Sequence, residues 1–444
     1  MRNLLVVFLA AAAFLHAAGE PKKVFPFAYD QHDFPNGLRL VTIPTDTPNI
    51  VSLFIVVQVG SRNEVEPGKT GFAHLFEHMM FRGTKLFPPA KYEAIMKQAG
   101  AATNAYTSDD MTVYHATFAK PDLEQILTME ADRFMHLEYN ESAIRTESLA
   151  VLGEYNKNSA SPERKLYESL YDTAFDKHTY KHTTMGFLKD VQDMPNQYEY
   201  SKQFFDRYYK PEYTTVIIAG DVSPERTRDM VARQFGAWKH GTFQPSIPDE
   251  PPQTGPRQAN VVWPSQTLPW VAIGFKAPAY SDSEKDSAAL DLITALAFAE
   301  NAELYQRLVV KEQTVDRLSA DYSDHANPNL FIALARVKRE SNVNSVRESI
   351  LATLNGFKDT LVSADRLDAV KKHLRYSFAL RLDDPEKVAG VAARYVALKR
   401  TPETIDKRYE LYSQITPEDV RAAARKYLIE NGRSIITLSS GAAK

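Results

Sequence analysis

Two histidines and a glutamate lie within five residues of one another, at His74, Glu77 and His78. On a helix, residues four apart share a face, so the two imidazoles could bind one metal ion. Glu77 is about one turn from His74, where its carboxylate could touch a water on that metal. The flanking residues are apolar, and a buried helix does not tolerate such groups without partners. The pattern favours a catalytic metal site; the alternative is two core histidines with a chance glutamate between them.

Zinc is the metal best suited to these residue types. It prefers histidine nitrogen and carboxylate oxygen, and a catalytic zinc site combines three protein ligands with one open position for water. Zinc lowers the pKa of that water toward about 7, and a nearby carboxylate can take its proton and deliver it to a leaving amine. The order H-x-x-E-H is the inverted form of the zinc-protease motif. Mn²⁺ or Co²⁺ could use the same ligands.

A third ligand is expected from a second helical segment, residues 147–154. Glu147 and Glu154 are seven residues apart, so they share a helix face after two turns. One of them would bind the metal, and the other would hydrogen-bond a ligand and orient it. The alternative for two such glutamates is a solvated helix face.

Together these segments resemble the pitrilysin/insulinase family of zinc peptidases, which includes the mitochondrial processing peptidase. The resemblance covers nearly the whole mature chain. It implies that His74, His78 and Glu154 bind zinc, that Glu77 is the general base, and that Glu147 supports catalysis from beside the ligands.

A third segment, residues 100–114, resembles the strand near the active site of that family. Asn104 and Ala105 match the positions whose backbone pairs with an extended substrate, so the resemblance implies that they bind substrate. The physical basis would be the addition of the substrate as an extra β-strand. Taken by itself, the segment reads as an ordinary turn followed by an alternating strand.

The chain shows signs of an internal duplication. Residues 209–218 resemble residues 427–436, and each segment follows a helical stretch and ends in a β-rich run. A Pro-rich stretch at residues 242–257 predicts a linker between the two copies. Strands and long helices alternate irregularly, which predicts an α+β fold with a sheet covered by helices on one face.

The family resemblance implies the same organisation. It predicts two homologous domains, residues 20–241 and 258–444, each a mostly antiparallel β-sheet covered by α-helices, and their assembly into a clam-shaped dimer around the substrate. The segment that should match the histidine helix in the second domain, residues 282–299, contains no histidine. One zinc ion per chain is therefore expected.

Composition and the N-terminus limit the protein class. A chain of 444 residues with 44% hydrophobic residues can form more than one core, and its net charge of −3 gives no reason to expect nucleic acid or an anionic membrane surface as partner. Residues 1–19 predict a cleavable signal peptide, with an uncleaved anchor as the alternative, and no later segment predicts a membrane span. The chain has no cysteine, and export without disulfides suits a periplasmic or secreted protein.

One departure from the family pattern concerns partners. Active single-chain members usually carry an Arg and a Tyr in the later half, seven residues apart, that bind the substrate carbonyl. Val309 and Asp316 occupy those positions, and Arg307 and Tyr322 are out of register. We therefore expect a zinc-dependent endopeptidase for peptides or unfolded segments that forms a heterodimer with a zinc-less homologous subunit carrying the Arg/Tyr pair. The alternatives are a homodimer and a non-catalytic structural or peptide-binding subunit of a complex.

Overall fold

The computed structural model describes residues 23–441, and the predicted signal peptide at residues 1–19 lies outside these described residues. The strands are β1 (Asp30–Asp33), β2 (Arg39–Pro44), β3 (Ile50–Val57), β4 (Ala102–Thr107), β5 (Thr112–Ala119), β6 (Thr214–Gly220), β7 (Arg257–Trp263), β8 (Trp270–Ala277), β9 (Val315–Asp321), β10 (Asn329–Val337) and β11 (Arg433–Ser440).

The α-helices are α1 (Phe72–Met79), α2 (Pro89–Gln98), α3 (Leu123–His136), α4 (Glu141–Ser159), α5 (Pro162–Ala174), α6 (Leu188–Asp193), α7 (Tyr198–Tyr208), α8 (Pro224–Phe235), α9 (Lys285–Phe298), α10 (Glu303–Tyr305), α11 (Val343–Asp359), α12 (Ala364–Ala379), α13 (Pro385–Lys399), α14 (Glu403–Gln414) and α15 (Pro417–Tyr427). A π-helical stretch, Gln306–Lys311, continues α10. Between residues 23 and 441, no helix combines the length and apolar character that crossing a bilayer requires.

The strands form two sheets with a shared topology. The first has the order β1-β2-β6-β3-β5-β4 and the second β7-β11-β8-β10-β9. In each sheet the last strand along the chain, β6 or β11, lies between a parallel and an antiparallel neighbour. Apart from β1, the second sheet therefore repeats the first. The predicted α+β class, with two sheets and many helices, is confirmed.

The central strands of both sheets are apolar on both faces. In β3, Val51 and Leu53 point into a core shared with α1 and α3, whereas Phe54 and Val56 point into a different core on the opposite face. Strand β8 is similar, with successive residues alternating between two cores. Because side chains alternate along a strand, such sheets need cover on both faces.

The second face of each sheet is covered by a helix from the other half of the chain. Helix α13 packs on β3 and β6 of the first sheet, where it contributes Val388, Ala392 and Val396 to the core. Helix α5 packs on β7, β8 and β11 of the second sheet and contributes Leu166 and Leu170. The expectation of helices on one face only is therefore wrong, because the central strands have no polar face to present to water.

The Pro-rich stretch between the sheets is fastened to both halves. Its Glu250 accepts hydrogen bonds of 2.9–3.1 Å from three consecutive backbone N–H groups that begin at Asp176. The same carboxylate lies 3.2 Å from the Nζ atom of Lys276 on β8. The Glu250 side chain therefore links the Pro-rich stretch to the loop after α5 and to the second sheet.

Leu170→Ala tests whether α5 belongs to the core of the second sheet. Leu170 is fully buried with Trp270 and Ala272 of β8, so its truncation should lower the free energy of unfolding by about 2–5 kcal/mol in a urea titration. Leu380→Ala is the matched control, because that side chain is 80% exposed and should change the free energy by less than about 0.5 kcal/mol. Equal effects of the two substitutions would contradict this packing.

Candidate metal centre

A buried carboxylate fixes the start of helix α1. Gly71 precedes the helix with a φ of +90°, a conformation that costs little only for glycine. The Glu64 carboxylate accepts hydrogen bonds of 2.7 Å from the backbone N–H groups of Gly71 and Ala73. Burial raises the pKa of Glu64 to about 8, and these two hydrogen bonds oppose that rise. The helix that carries both histidines therefore begins at a fixed point.

The imidazoles of α1 meet a carboxylate of α4. His74 Nε2 lies 3.5 Å from Glu154 Oε2, and His78 Nε2 lies 3.5 Å from Glu154 Oε1. The potential ligand atoms of these three residues all lie within 4.8 Å of one another. Among residues 23–441, they form the one group of three or more His, Asp and Glu side chains close enough to hold a metal ion together.

The three side chains fit a zinc ion. Zinc bonds to nitrogen and oxygen are about 2.0–2.1 Å long, so tetrahedral ligand atoms lie about 3.4 Å apart, close to the observed 3.5 Å. A histidine must be neutral to bind a metal. Burial, with a contribution from His78, lowers the pKa of His74 to about 4. His74 is therefore neutral at physiological pH.

Glu147 lies beside this group and contacts His78 from the other side of the ring. Its Oε2 atom is 3.3 Å from His78 Nδ1, and its Oε1 atom forms an ion pair with the guanidinium of Arg82. The hydrogen bond from His78 lowers the pKa of Glu147, and the same contact raises the pKa of His78. Glu147 can therefore orient His78 while the Nε2 atom of that ring remains directed at Glu154.

Glu77 is held against the end of strand β4. The hydroxyl of Thr107 donates a 2.7 Å hydrogen bond to Glu77 Oε2. Burial raises the pKa of Glu77, and the bond from Thr107 opposes that rise. A carboxylate whose pKa is raised toward neutrality is a more effective proton acceptor and donor near pH 7.

Residues 100–114 form a hairpin, with a strand on each side of its turn, and the first strand, β4, is outermost in its sheet. Ala105 pairs with Tyr114, whose hydroxyl donates to a carbonyl of α1, so Ala105 lies on the metal-facing side. Asn104 pairs with His115, whose ring stacks in the core on the opposite face. The Asn104 side chain therefore points away from the histidines, and its Oδ1 accepts a 2.9 Å bond from the Ala105 N–H.

The positions of the expected Arg and Tyr have other contacts. Asp316 forms a two-pronged ion pair with Arg336, with distances of 2.8 Å to each carboxylate oxygen. Val309 lies in the π-helical stretch and packs against the second core. Tyr322 is 7% exposed, and its hydroxyl donates to the carbonyl of Pro278. The Asp316 carboxylate has no donor for a substrate carbonyl, and the Tyr322 hydroxyl is already bonded to Pro278.

Three residues that support the site are absent from the sequence-based prediction: Glu64, Arg82 and Thr107. Arg82 follows His78 by the same four residues that separate the two histidines, so helical spacing could have indicated it. Glu64 reaches the helix from a turn between elements, where no periodic signal marks it. Thr107 is the last residue of β4 and lies on the same face as Ala105, but its contact with Glu77 depends on how β4 packs against α1.

Gly71→Ala tests whether the start of α1 controls the metal site. A Cβ at this position would lie 3.1 Å from the carbonyl oxygen of Met185 and 3.0 Å from Met194. Gly68→Ala is the matched control, with a φ of +79° and no atom within 4 Å of its Cβ. Left-handed backbone should cost both variants about 1 kcal/mol or more.

The contact with Met185 should make Gly71→Ala the less stable of the two variants and weaken its zinc affinity. Urea unfolding and competition with a chelator measure the two effects. Identical behaviour of the variants in both measurements would show that the space around Gly71 does not position α1.

Comparison with known proteins identifies the family. The model of the insulinase family (peptidase family M16) matches residues 39–187, and the model of the peptidase M16 inactive domain matches residues 197–374. The zinc protease PqqE of Helicobacter pylori is 28% identical over 403 residues, which cover 89% of this chain and 88% of that protein. A probable mitochondrial-processing peptidase subunit beta of Arabidopsis thaliana is 23% identical, with 90% of this chain and 76% of that protein covered.

Solved structures share the fold. The crystal structure of a protease from Helicobacter pylori matches with a TM-score of 0.87 and 26% identity, covering 93% of this chain and 99% of that one. The periplasmic protease PqqL from Escherichia coli matches with a TM-score of 0.75 and 19% identity, and the match spans 92% of this chain and 47% of PqqL. The two family models account for nearly all of residues 39–374, which confirms the predicted resemblance: the chain belongs to the insulinase family, peptidase family M16.

Proposed function

We propose that the protein is a zinc-dependent endopeptidase that hydrolyses peptides or unfolded protein segments. One observation carries this proposal: Glu77 lies on the same helix as His74 and His78, which face Glu154, and is fixed by Thr107 at the end of an outermost strand. The three potential metal ligands, the Glu77 carboxylate with its raised pKa and the free edge of β4 therefore lie next to one another. The names of the relatives, which include zinc proteases, support the same reaction class.

The ligands in this proposal are His74, His78 and Glu154, one set per chain. A zinc ion bound there would act as a Lewis acid and lower the pKa of a water in its open coordination position. Glu77 would accept the proton from that water and deliver it to the nitrogen of the leaving amine. Glu147 would hold the ring of His78 in its binding orientation.

The substrate would bind as an extra strand on β4. Outermost strands offer backbone N–H and C=O groups to a second chain, and this mode selects extended or unfolded segments. Ala105 lies on the face of β4 that is turned toward Glu77, and its N–H points to the open edge, where Asn104 Oδ1 accepts it. A substrate strand would replace that acceptor and bring the bond to be cleaved near Glu77. In the antiparallel ladder the backbone groups of Asn104 face β5, so Asn104 would act through its Oδ1 atom, which releases the Ala105 N–H to the substrate.

Glu77→Gln tests the proposed chemistry. Glutamine keeps the size of the side chain but cannot accept a proton, so hydrolysis of an unstructured peptide should fall by about 10²–10⁴-fold. The zinc content of the purified protein should stay at one ion per chain, because Glu77 is not a proposed ligand. Peptide cleavage measured by mass spectrometry, together with metal analysis, checks both expectations.

Glu93→Gln is the matched control, because Glu93 is an exposed glutamate on α2. It should change neither cleavage nor zinc content. Cleavage by Glu77→Gln at the wild-type rate would exclude Glu77 as the general base. A chain without zinc and without activity would instead favour a non-catalytic structural or peptide-binding subunit.

We further propose that full activity requires a second subunit. Val309 and Asp316 occupy the positions of the expected pair, and neither side chain can donate a hydrogen bond to a carbonyl oxygen. The hydroxyl of the nearby Tyr322 is bonded to Pro278 within its own half. A zinc-less homologous subunit would supply the Arg and the Tyr in a clam-shaped heterodimer. A homodimer with a different carbonyl-binding group is the alternative.

Loss of one donor to the developing oxyanion typically costs about 10²–10³-fold in rate. The chain alone should therefore bind zinc but cleave slowly, and a co-expressed subunit carrying the pair should raise the rate by about that factor. Gel filtration with activity assays on each peak measures both properties. A homodimer with full activity would contradict the need for a partner.

For its location, we propose the periplasm or the exterior of the cell. The predicted signal peptide at residues 1–19 supports this proposal, as does the likeness to a protease described as periplasmic.

A further inference from the structure

The contact between α1 and α4 extends beyond the proposed zinc ligands. His74, His78 and Arg82 follow one another at four-residue steps and face α4, where Glu154 and Glu147 alternate with them. The two helices thus carry a continuous series of five side chains, in which each acid lies between two basic groups.

Arg82 ends this series in a fixed turn. Residues Met80–Arg82 continue α1 as a single tight turn, and Gly83 ends that turn with a φ of +78°. A Cβ on Gly83 would lie 2.5 Å from the carbonyl oxygen of Phe87. The backbone next to Arg82 is therefore closely confined, which limits where its guanidinium can reach.

The two oxygens of Glu147 have separate partners. Oε2 faces His78 Nδ1 at 3.3 Å, and Oε1 is paired with the Arg82 guanidinium. The Glu147 side chain is 14% exposed and that of Arg82 34%, so Arg82 shields one side of a carboxylate that is otherwise nearly buried. Without Arg82, one oxygen of a nearly buried carboxylate would lose its donor, which is costly. The carboxylate would then be free to rotate away from His78.

We propose that Arg82 is a positioning residue of the metal site, which fixes Glu147 and through it the ring of His78. This inference rests on the proposed zinc-binding function. Arg82 does not reach the metal ligands directly; its effect on zinc passes through Glu147. A guanidinium suits this task because its planar, always charged group donates to Glu147 Oε1 from a fixed direction, whereas a lysine ammonium is a point charge with rotatable donors.

The test is the zinc affinity of the full mature chain. It is measured by letting the protein compete with a chelator for Zn²⁺. Residues that orient a metal-binding histidine typically contribute 10–100-fold in affinity, so R82Q should bind zinc about 10–100-fold more weakly than the wild type. K85Q is the matched control, because Lys85 lies three residues further and forms an exposed ion pair with Glu138. It should bind zinc like the wild type.

A double-mutant cycle separates positioning from a general structural role. If Arg82 acts through Glu147, the variant R82Q/E147Q should bind zinc no more weakly than E147Q alone. Additive losses in the double variant would overturn the proposal, because Arg82 would then act by another route. Unfolding of the metal-free proteins in urea shows whether each variant folds.

R82K keeps the charge but replaces the planar group by a rotatable ammonium, so its zinc affinity should fall between those of wild type and R82Q. If R82Q does not fold, this variant decides: a measurable fall in zinc affinity supports the proposal, and wild-type affinity overturns it.

His74→Ala distinguishes this inference from the proposed function. Loss of zinc in His74→Ala with wild-type affinity in R82Q would overturn the role of Arg82 alone. Wild-type zinc affinity in His74→Ala would overturn the metal site itself, and the inference with it.

Discussion

The packing of α1 against α4 is the interaction on which the site depends. Helix α1 is largely apolar and buried, with Phe72, Phe76 and Met79 inaccessible to solvent. Two imidazoles in such a helix need polar partners, because unpaired buried polar groups are costly. The glutamates of α4 face His74 Nε2 and both ring nitrogens of His78. The same contact therefore completes the packing of the first half and gathers the side chains suited to a metal ion.

The second half of the chain takes part in this arrangement, although its described residues contribute none of the grouped ligands. Helix α4 ends at Ser159 and α5 begins at Pro162, so the connection is only two residues long. Because α5 is embedded in the core of the second sheet, that sheet restricts where α4 can lie. Glu250 adds a second tie at the other end of α5. A domain without metal ligands can thus determine the position of a ligand.

Helical periodicity made much of the site predictable. His74 and His78 are four residues apart and Glu147 and Glu154 seven, so each pair had to share a helix face, and the family resemblance paired the two helices. Each half contributes a helix to the sheet of the other half, α5 to the second sheet and α13 to the first. This exchange of α5 and α13 was not predictable from periodicity. Their local patterns are those of ordinary amphipathic or small-residue helices, and nothing in them says which sheet they cover. The position of β4 beside α1, and with it the contact between Thr107 and Glu77, was also not predictable from periodicity, because it depends on the turns around the hairpin.

The exchange of α5 and α13 has a consequence for how the chain folds. A chain containing only one half would leave an apolar face of its sheet bare. It could cover that face only by taking the helix of a second copy, as in a domain-swapped dimer. The folded state of such a dimer would depend on protein concentration. In this chain the two halves are covalently joined, so each sheet obtains the helix of the other half within one molecule and folding does not depend on finding a second copy.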